Sequence, residues 1–463
     1  MSSTLARALA AGLAYTPPAP KPPRRELPYG SFVWLSNAIE AWPAAVYERP
    51  YYRPPWPYTP LLLCEPEAIR TLLLDEVAVF PRAEVIRRMF GPIWGNGLFT
   101  AENEAWRWQR HAAAPAFRPD RVLSMVPDMT AAAEAALTRW REAGDGARID
   151  VAAAMTRTTF DVILETALSG GEDFGDLAEA SRRIAAFVNN AGRVHARDML
   201  PIPEWMRTPE HRRGGPTMVY MRETVGRMVA RRRKQGPGRG DLVDLLMTSA
   251  DPQTGEGMDD TVLRDNLIGF IAAGHETTAQ ALTWSLYLIG SHPPTEARML
   301  AEIAAVAGDA PITAAHIERL VFTKQVLQEA MRLYPPAPIL VTRQAQRDIE
   351  VAGYRIRKGT LVSVPVYALH RHRAYWRDPD VFDPDRFAPE TGLDKQRYLY
   401  MPFGAGPRIC IGATFATIEA TAILATLVRG MHLEPDPTHK IRPMLRASLW
   451  PQGGMPMTLR FRR

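Results

Sequence analysis

The stretch FGAGPRICIG, Phe403–Gly412, decides how the rest of this sequence is interpreted. It contains one of only two cysteines in 463 residues, and three glycines and a proline surround that cysteine. An apolar pattern typical of a helix follows it, from Ala413 to Val428. So specific a turn around Cys410 indicates a chemical role for the thiol, a bound ligand, or both.

Three kinds of site are compatible with a glycine-rich turn that precedes a helix. A dinucleotide loop requires glycine where Ile409 stands, and Pro407 removes a backbone donor that a phosphate would need. A catalytic thiol requires a nearby histidine base, which the sequence neither supplies nor excludes. One cysteine cannot complete a structural zinc site, but a single thiolate can bind a haem iron axially.

Elementary chemistry favours the haem-thiolate interpretation over the other two. A helix that begins near Gly412 would stabilise the Cys410 thiolate and lower the pKa of the thiol. Gly404, Gly406 and Gly412 permit positive φ angles and a close approach of the backbone to a flat macrocycle. Arg408 is suited to pair with an anionic rim such as a haem propionate. Taken alone, Cys410 would more commonly be a buried structural residue.

Composition and charge limit the classes to which this protein can belong. The formal net charge of +6 is too small to indicate nucleic-acid binding, and RRRK at Arg231–Lys234 is interpreted as a solvated helix end. Two cysteines exclude a disulfide scaffold and suit a reducing compartment. The apolar run interrupted by Arg7 is too short to span a bilayer. We expect a monomeric cytoplasmic protein with no nucleic-acid partner and no transmembrane anchor, although contact of the first residues with a membrane surface stays open.

The organisation of the chain is predicted to be mostly helical. A Pro-rich lead-in over residues 1–30 precedes a single domain over residues 31–463, although length alone would suggest two or three domains. Helical spacing dominates from Trp106 to Arg332. Alternating patterns predict one β-hairpin that turns at Lys358–Gly359 and another around Gly453–Gly454.

The cysteine stretch resembles the haem-ligand loop of the cytochrome P450 monooxygenases. That loop reads Phe-Gly-x-Gly-x-Arg-x-Cys-x-Gly, and this chain matches every fixed position. The resemblance implies that Cys410 is the axial ligand of haem b, in a cofactor site that includes Phe403, Gly404, Arg408 and Gly412. It also implies a mainly α fold with small β-sheets, arranged as one triangular domain.

A second match is an acidic–basic pair on a predicted helix. Glu329 and Arg332 stand three residues apart in EAMR, which alone would indicate a surface ion pair. In the family that this chain resembles, the pair is buried beneath the haem loop and binds a later arginine. The resemblance implies that Arg386, in DPDRF, is that arginine and that the three side chains form a structural ion pair.

A third match is AGHETT, inside a helix predicted from about Asp259 to Gly290. Gly274 costs about 1 kcal/mol in a helix interior. It is either a tolerated flaw or part of a groove where a threonine hydroxyl bonds back to a carbonyl and bends the helix. The resemblance implies that Ala273 and Gly274 contact the cofactor and its dioxygen. It implies that Glu276 and Thr277 are a catalytic acid–alcohol pair that delivers protons.

Further residues follow from the same resemblance. It implies that Trp106, Arg110 and Arg343 donate hydrogen bonds to the haem propionates, a role that suits indole and guanidinium groups. It also implies an apolar substrate pocket, as small-molecule sites usually are. The predicted lining consists of Met89, Phe90, Trp94, Phe187, Ala272, Ala337, Ile339 and Leu340. Fatty acid, terpenoid and aromatic substrates all stay open.

The reaction implied is insertion of one oxygen atom of dioxygen into a C–H bond of a small hydrophobic substrate. No flavin, nicotinamide or iron–sulfur motif is present in the sequence, so electrons from NAD(P)H are expected through a [2Fe–2S] ferredoxin and its reductase, or a flavodoxin-type donor. Arg107, Arg118 and Arg121 are candidates for a basic docking face. The alternatives are a peroxide-driven relative and a haem-binding sensor or carrier without turnover, and the Glu276–Thr277 pair disfavours both.

Overall fold

The computed structural model describes residues 14–23, 37–55, 59–168, 170–191, 210–393 and 396–462. Helices dominate these ranges, and their bounds follow the apolar periodicity of the sequence. The α-helices are α1 Ala38–Ala41, α2 Pro66–Arg70, α3 Glu84–Trp94, α4 Asn103–Ala113, α5 Pro119–Ser124, α6 Val126–Ala143, α7 Val151–Leu168, α8 Leu177–Ala191, α9 Glu210–Gln235, α10 Leu242–Thr248, α11 Asp260–Ser291, α12 Pro293–Ala307, α13 Ala314–Ile317, α14 Val321–Leu333, α15 Val366–Leu369 and α16 Ala413–Gly430.

Short strands form four small sheets around the helices. The strands are β1 Tyr51–Tyr52, β2 Leu61–Leu63, β3 Arg148–Asp150, β4 Arg343–Gln344, β5 Ile349–Val351, β6 Tyr354–Ile356, β7 Leu361–Ser363, β8 Met431–Pro435, β9 Pro443–Leu445, β10 Leu449–Pro451 and β11 Pro456–Phe461. The strand orders are β1-β2-β7-β4, β3-β11-β8, β5-β6 and β9-β10. The predicted fold class, mainly α with small β-sheets, is confirmed.

Both predicted hairpins turn elsewhere. Strands β5 and β6 are joined at Ala352–Gly353, where both residues have positive φ, the conformation that a tight two-residue hairpin turn requires. The turn at Lys358–Gly359 instead passes the chain to β7, which pairs with β2 and β4. The glycines at Gly453–Gly454 likewise connect β10 to β11, strands that pair in different sheets.

Helix α11 is the central element and explains where the site lies. Asp259 caps its N-terminus by accepting hydrogen bonds from the backbone N–H groups of Thr261 and Val262, each at 2.8 Å. Its first half, through Ala272, belongs to one hydrophobic core, and its second half, from Ala279, belongs to another. The segment between these halves contains AGHETT, so this segment lies where the two cores meet.

A third hydrophobic core supports the approach to the cysteine loop. It packs the β1-β2-β7-β4 sheet and α2 against Leu399 and Met401, just before Phe403. The backbone N–H of Met401 also donates to His370 Nε2 at 3.0 Å. These contacts attach the start of the loop to the sheet core, and α16 begins directly after its end.

The described part of the N-terminal lead-in packs on the helical body. Tyr15 forms an isolated antiparallel bridge with Phe382, and its hydroxyl lies 2.9 Å from that of Tyr287. The Tyr334 hydroxyl donates to the carbonyl of Pro18 at 2.6 Å. The division into a lead-in and one domain stays a prediction. Within the described ranges, no helix has the length and apolar character that crossing a membrane requires.

Candidate functional site

The cysteine loop is closed by backbone hydrogen bonds. The N–H of Cys410 donates to the carbonyl of Phe403 at 2.9 Å, which brings the two ends of the turn together. Gly404 and Gly406 have φ angles of +73° and +74°, where glycine avoids steric strain. A Cβ on Gly406 would stand 2.0 Å from the carbonyl oxygen of Leu73, so this position admits only glycine for a second reason as well.

The thiol lies at the start of α16. Gly412 is the N-cap, and its backbone N–H hydrogen-bonds to the Cys410 sulfur. Desolvation by the atoms packed around the sulfur raises the pKa of this thiol, although the residue keeps exposed surface, and the Gly412 N–H and the Arg110 charge lower it. The expectation of a lowered pKa is therefore wrong for the protein alone, because desolvation outweighs the helix terminus; a coordinated cation deprotonates such a thiol. Gly412 has φ −86°, so its expected positive φ is also wrong.

The AGHETT segment continues α11 without interruption. The Thr277 hydroxyl donates to the carbonyl of Ala273 at 2.7 Å, one turn earlier. Ala273 is exposed and Thr277 half-buried, although the preceding Ile271 and Ala272 are buried. Gly274 instead meets α7, where a Cβ would stand 3.2 Å from Ile163 Cδ1. Close packing on α7 is therefore one reason for glycine at this position, and the cofactor contact of Gly274 stays a prediction.

Glu276 points to a different side of α11 from Thr277. Its side chain is buried, and its Oε1 accepts hydrogen bonds from Ser448 Oγ at 2.6 Å and Trp450 Nε1 at 2.8 Å. Burial raises the pKa of this carboxyl to about 7, against the lowering effect of the two hydrogen bonds. A carboxyl with that pKa can both hold and release a proton near neutrality.

A cluster of guanidinium groups lies beside the loop. Arg408 donates to the carbonyl of Ala101 at 3.0 Å and to Glu102 Oε2 at 2.6 Å. The Arg408 Cζ lies 4.5 Å from the centre of the Trp106 ring, and the Arg110 Cζ lies 6.0 Å from it. Arg110 also donates to the carbonyl of Ile409, next to the cysteine, at 2.8 Å.

Two further cations complete this cluster. Arg343 donates to the carbonyl of Phe80 at 2.9 Å and forms an antiparallel bridge with Arg82, whose guanidinium lies 3.8 Å from Glu102. Burial, together with the Arg408 charge, lowers the pKa of Arg82 to about 9 and that of Arg343 to about 10. Arg82 Nη1 has no hydrogen-bond partner among the described residues. The cluster therefore has more positive than negative charge.

The acidic–basic pair on α14 lies inside the protein. Both side chains are 0% exposed, and the Arg332 guanidinium donates to the two Glu329 oxygens at 2.6 and 2.7 Å. Arg386 Nε lies 3.4 Å from Glu329 Oε1. Arg332 also donates to the backbone carbonyls of His370 and Val381, each at 2.9 Å. These bonds tie α14 to the DPDRF segment and to the strand-rich region before the loop.

The predicted pocket residues are only partly brought together. Phe187 and Ala272 belong to one buried cluster, and Phe90 and Trp94 pack against it, each with its ring near Phe99. The other residues separate: Ile339 packs on the core of α14 and α16, Leu340 packs on the sheet core, and Ala337 is half-buried. The Met89 side chain lies outside the described part of the structure.

Comparison with known proteins identifies the protein family. The family model described as Cytochrome P450 matches residues 52–458. The chain belongs to the cytochrome P450 family. It is 33% identical over 402 residues to cyclooctatin synthase of Streptomyces melanosporofaciens, which covers 87% of this chain and 84% of that protein. It is 31% identical over 390 residues to pentalenene oxygenase of Streptomyces avermitilis, covering 84% of each.

Solved cytochrome P450 structures agree with this assignment. The heme domain of cytochrome P450DA superposes with a TM-score of 0.76 at 28% identity, covering 87% of this chain and 86% of that one. A second cytochrome P450 gives a TM-score of 0.78 at 25% identity, covering 90% and 96%. Cyclooctat-9-en-7-ol 5-monooxygenase of S. melanosporofaciens is a further relative, at 32% identity over 383 residues. The protein is therefore a monooxygenase with a haem cofactor.

The side chains of this cytochrome P450 fit a haem. Cys410 and Ala273 keep exposed surface although their elements are otherwise packed into the fold. The neighbouring cluster contains four guanidinium groups and the carboxylate of Glu102, and two propionates would offset most of its excess positive charge. The Cys410 sulfur can bind the haem iron, and the guanidinium groups can donate hydrogen bonds to the haem propionates.

Sequence reasoning missed several residues of this site. No sequence motif includes Arg82 or Glu102. Arg82 is brought next to Arg343 by an antiparallel bridge between their backbones. Glu419 on α16 is fully buried, and Thr278 hydrogen-bonds to it while burial raises the pKa of its carboxyl. The sequence did indicate Glu419, because it is an acidic residue within an apolar helix and acidic residues are rarely buried without a partner.

Proposed function

We propose that this cytochrome P450 inserts one oxygen atom of dioxygen into a C–H bond of an apolar cyclic terpenoid. The observation that carries the proposal has two parts. The Cys410 loop leads into α16, which packs on α11 and bonds to Thr278 of the AGHETT segment through Glu419, and both Cys410 and Ala273 keep exposed surface. The names of the Streptomyces relatives, which include pentalenene oxygenase and cyclooctat-9-en-7-ol 5-monooxygenase, support the substrate class.

Each part of the site has a distinct task in this proposal. Haem b, when bound, would supply the activation of dioxygen, and a thiolate ligand would favour O–O bond cleavage. Cys410 provides that thiolate, and Arg82, Arg110, Arg343 and Arg408, with the Trp106 indole, would bind the propionates.

The proton-handling residues lie on the central helix. The Thr277 hydroxyl donates to the carbonyl of Ala273 and keeps two lone pairs with which to accept a hydrogen bond from water. Glu276 holds a proton at neutral pH in part of the molecules, because the pKa of its carboxyl is about 7. Together they can supply protons where bulk water is excluded.

The substrate is proposed from the character of the cluster around α11. Phe90, Trp94, Phe187 and Ala272 share one apolar cluster that includes Ile268. Such a surface contributes burial of hydrocarbon and few directional contacts, so it suits a rigid cyclic hydrocarbon better than a polar molecule.

Electrons are proposed to come from NAD(P)H through a separate [2Fe–2S] ferredoxin and its reductase. Arg107 lies on α4, whose Arg110 bonds to the cysteine loop, and Arg118 follows that helix along the chain. Both are exposed, although Arg107 pairs with Glu104 and Arg118 with Asp120. Arg121 donates to the carbonyl of Gly240 at 2.9 Å. The docking face, a flavodoxin-type donor as the alternative, and a monomeric cytoplasmic state are part of the same proposal.

One experiment tests the reaction and the substrate class together. The purified protein is titrated with a cyclic terpene hydrocarbon, a fatty acid and a monocyclic aromatic compound while displacement of the haem-bound water is followed by absorption. Turnover of each compound is then compared with NADH plus ferredoxin and reductase, and with hydrogen peroxide alone. We expect product from the terpene with the protein partners. Turnover by peroxide alone, or binding of the fatty acid only, would contradict the proposal.

A further inference from the structure

The Glu276 carboxyl is held by a strand hairpin more than 170 residues away in the sequence. Ser448 and Trp450 belong to the turn and second strand of the β9–β10 hairpin, and both donate to the same oxygen, Oε1. The second oxygen, Oε2, has no hydrogen-bond partner among the described residues. One oxygen is therefore fixed by two donors, and the other is available to hold a proton.

The hairpin itself is anchored independently of Glu276. Trp284, about two helix turns further along α11 than Glu276, donates its indole N–H to the carbonyl of Leu449 at 2.8 Å. The N–H of Leu449 donates to the carbonyl of Pro336 at 3.1 Å. Strand β10 is therefore also bonded to α11 and to Pro336 at points that do not involve the Glu276 carboxyl.

Trp450 also lines a cavity that reaches the surface. This cavity has a volume of about 560 Å³ and lies between the starts of α7 and α8 and the β9–β10 hairpin. Ala186 and Gln452 are among its exposed lining residues, and Thr156 and Ser181 are among its buried ones. The Trp450 indole thus both lines this cavity and donates to the buried carboxyl.

We propose that Ser448 and Trp450 are positioning residues that clamp the Glu276 carboxyl and connect it to solvent through this cavity. The inference rests on the proposed function, since it assigns the proton supply of the same site. A proton moves from water in the cavity to Oε2, while Oε1 stays bonded to the two donors. The same proton then leaves Oε2 for the Thr277 side of α11, and the carboxylate returns to its starting state.

Neighbouring charged groups do not determine the titration of this carboxyl. His275 precedes it on α11, Arg157 on α7 pairs with Asp161, Arg182 on α8 pairs with Glu179, and Arg446 lies on the hairpin. The pKa of Glu276 depends on burial first, and then on the hydrogen bonds from Ser448 and Trp450. Both bonds favour the charged form, so the loss of either donor must raise the pKa.

Infrared titration of the haem-loaded protein tests the clamp without turnover. The carbonyl stretch of the protonated Glu276 carboxyl is identified by its loss in Glu276→Gln. In the wild type this band should titrate with a midpoint near pH 7. In Ser448→Ala and in Trp450→Phe we expect the midpoint to move up by about one pH unit, because a hydrogen bond to a charged group is lost. Ser448→Thr, which keeps the hydroxyl, should restore the wild-type midpoint.

Two matched variants separate the clamp from general packing. Trp284→Phe removes an indole bond between the same helix and the same strand, but not to Glu276. Ser285→Ala removes a buried hydroxyl that bonds only to its own helix, at the carbonyl of Ala281. Neither should move the carboxyl band. Equal shifts in Trp284→Phe and Trp450→Phe would overturn the clamp and leave hairpin docking as the cause.

The solvent route is tested with the same band. Ala186→Trp fills the exposed mouth of the cavity, and Ala143→Trp places the same bulk on an exposed site at the end of α6. After mixing into heavy water, the carboxyl band should convert to its deuterated position several-fold more slowly in Ala186→Trp only. Equal rates in both would overturn the route. If the haem spectrum shows normal thiolate ligation but the carboxyl band does not change as expected in the variants, this inference is rejected and the proposed function is unaffected.

Discussion

The two cysteines differ in their surroundings, although neither is in a disulfide. Cys64 is 1% exposed, its thiol donates to the carbonyl of Val46, and burial raises the pKa of that thiol. Cys410 keeps exposed surface, lies at a helix N-terminus and has Arg110 as a cationic neighbour. At the residue scale, only Cys410 has the access and the positive environment that ligation by a thiolate requires.

The first prediction concerns this difference. Cys410→Ser should abolish the red-shifted Soret band of the reduced, carbon monoxide-bound protein, because an alcohol cannot replace the thiolate ligand. Cys64→Ser should leave the band in place, so it serves as the matched control. The measurement is the absorption difference spectrum of both variants at equal haem content. A band that survives in Cys410→Ser but disappears in Cys64→Ser would show that the ligand was assigned to the wrong residue.

The second prediction concerns the Thr277 hydroxyl. Thr277→Ala should leave haem binding and substrate affinity nearly unchanged, since the hydroxyl bonds only to Ala273 of its own helix and alanine is the better helix former. Coupling should fail, with more hydrogen peroxide released and less product formed per NADH consumed. The three quantities are measured with the same ferredoxin, reductase and substrate as for the wild type. Unchanged coupling would leave Thr277 as a packing residue.

At the scale of elements, α14 is joined to the region before the cysteine loop by buried charge. Arg332 bonds to Glu329 on its own helix and to carbonyls of the 370–381 segment, and Asp383 N–H donates to Glu329 at 2.9 Å. Burial lowers the pKa of the Arg332 guanidinium, against the raising effect of Glu329. Such a pair stabilises the fold only while both partners are present.

The third prediction follows from that dependence. Arg332→Ala leaves the Glu329 carboxylate buried without its main partner, which typically costs about 3–5 kcal/mol. We expect little haem-loaded protein and a large loss of thermal stability. Arg298→Ala is the matched control, because Arg298 pairs with Asp385 on the surface, where a pair contributes about 0–1 kcal/mol. Comparable haem content in the two variants would contradict the structural role of the buried pair.

At the scale of the whole molecule, buried titratable groups make stability depend on pH in opposite directions. Burial lowers the pKa of His275 to about 4, so this side chain stays neutral where the unfolded state binds a proton. Burial raises the pKa of Glu276 to about 7, so the folded state binds the extra proton there. As pH falls from about 6.5 to 4.5, the histidine destabilises the fold while the carboxyl stabilises it.

The fourth prediction isolates the histidine. His275→Asn keeps a side-chain N–H that can donate to the carbonyl of Ile271 but removes the titration. The variant should gain stability relative to the wild type as pH falls from about 6.5 towards 4, by up to about 3 kcal/mol. Thermal unfolding midpoints of both proteins over this pH range measure the gain. A constant difference between the two proteins at every pH would exclude the buried neutral histidine as its source.

The sequence by itself determined the parts of this cytochrome P450 whose residues are close together along the chain. The loop around Cys410, the Glu329–Arg332 spacing and the AGHETT segment each combine residue types that local backbone geometry and chemistry explain. The mainly helical class followed from periodicity in the same way. Each of these features lies within a few neighbouring residues, so the sequence was enough to locate them. The burial of Glu329 and Arg332 was implied only by the resemblance to the family, because their spacing alone indicated a surface pair.

Only the tertiary structure decided which distant groups share an environment. Arg82 joined the cation cluster by pairing with Arg343, Gly274 proved to pack on α7, and Glu276 found its donors on the β9–β10 hairpin. The observed hairpin turn also differs from the predicted one, because the pairing of strands in the sheets determines where a hairpin closes. Burial and hydrogen bonding set the pKa of Glu276, and both depend on elements that meet only after folding.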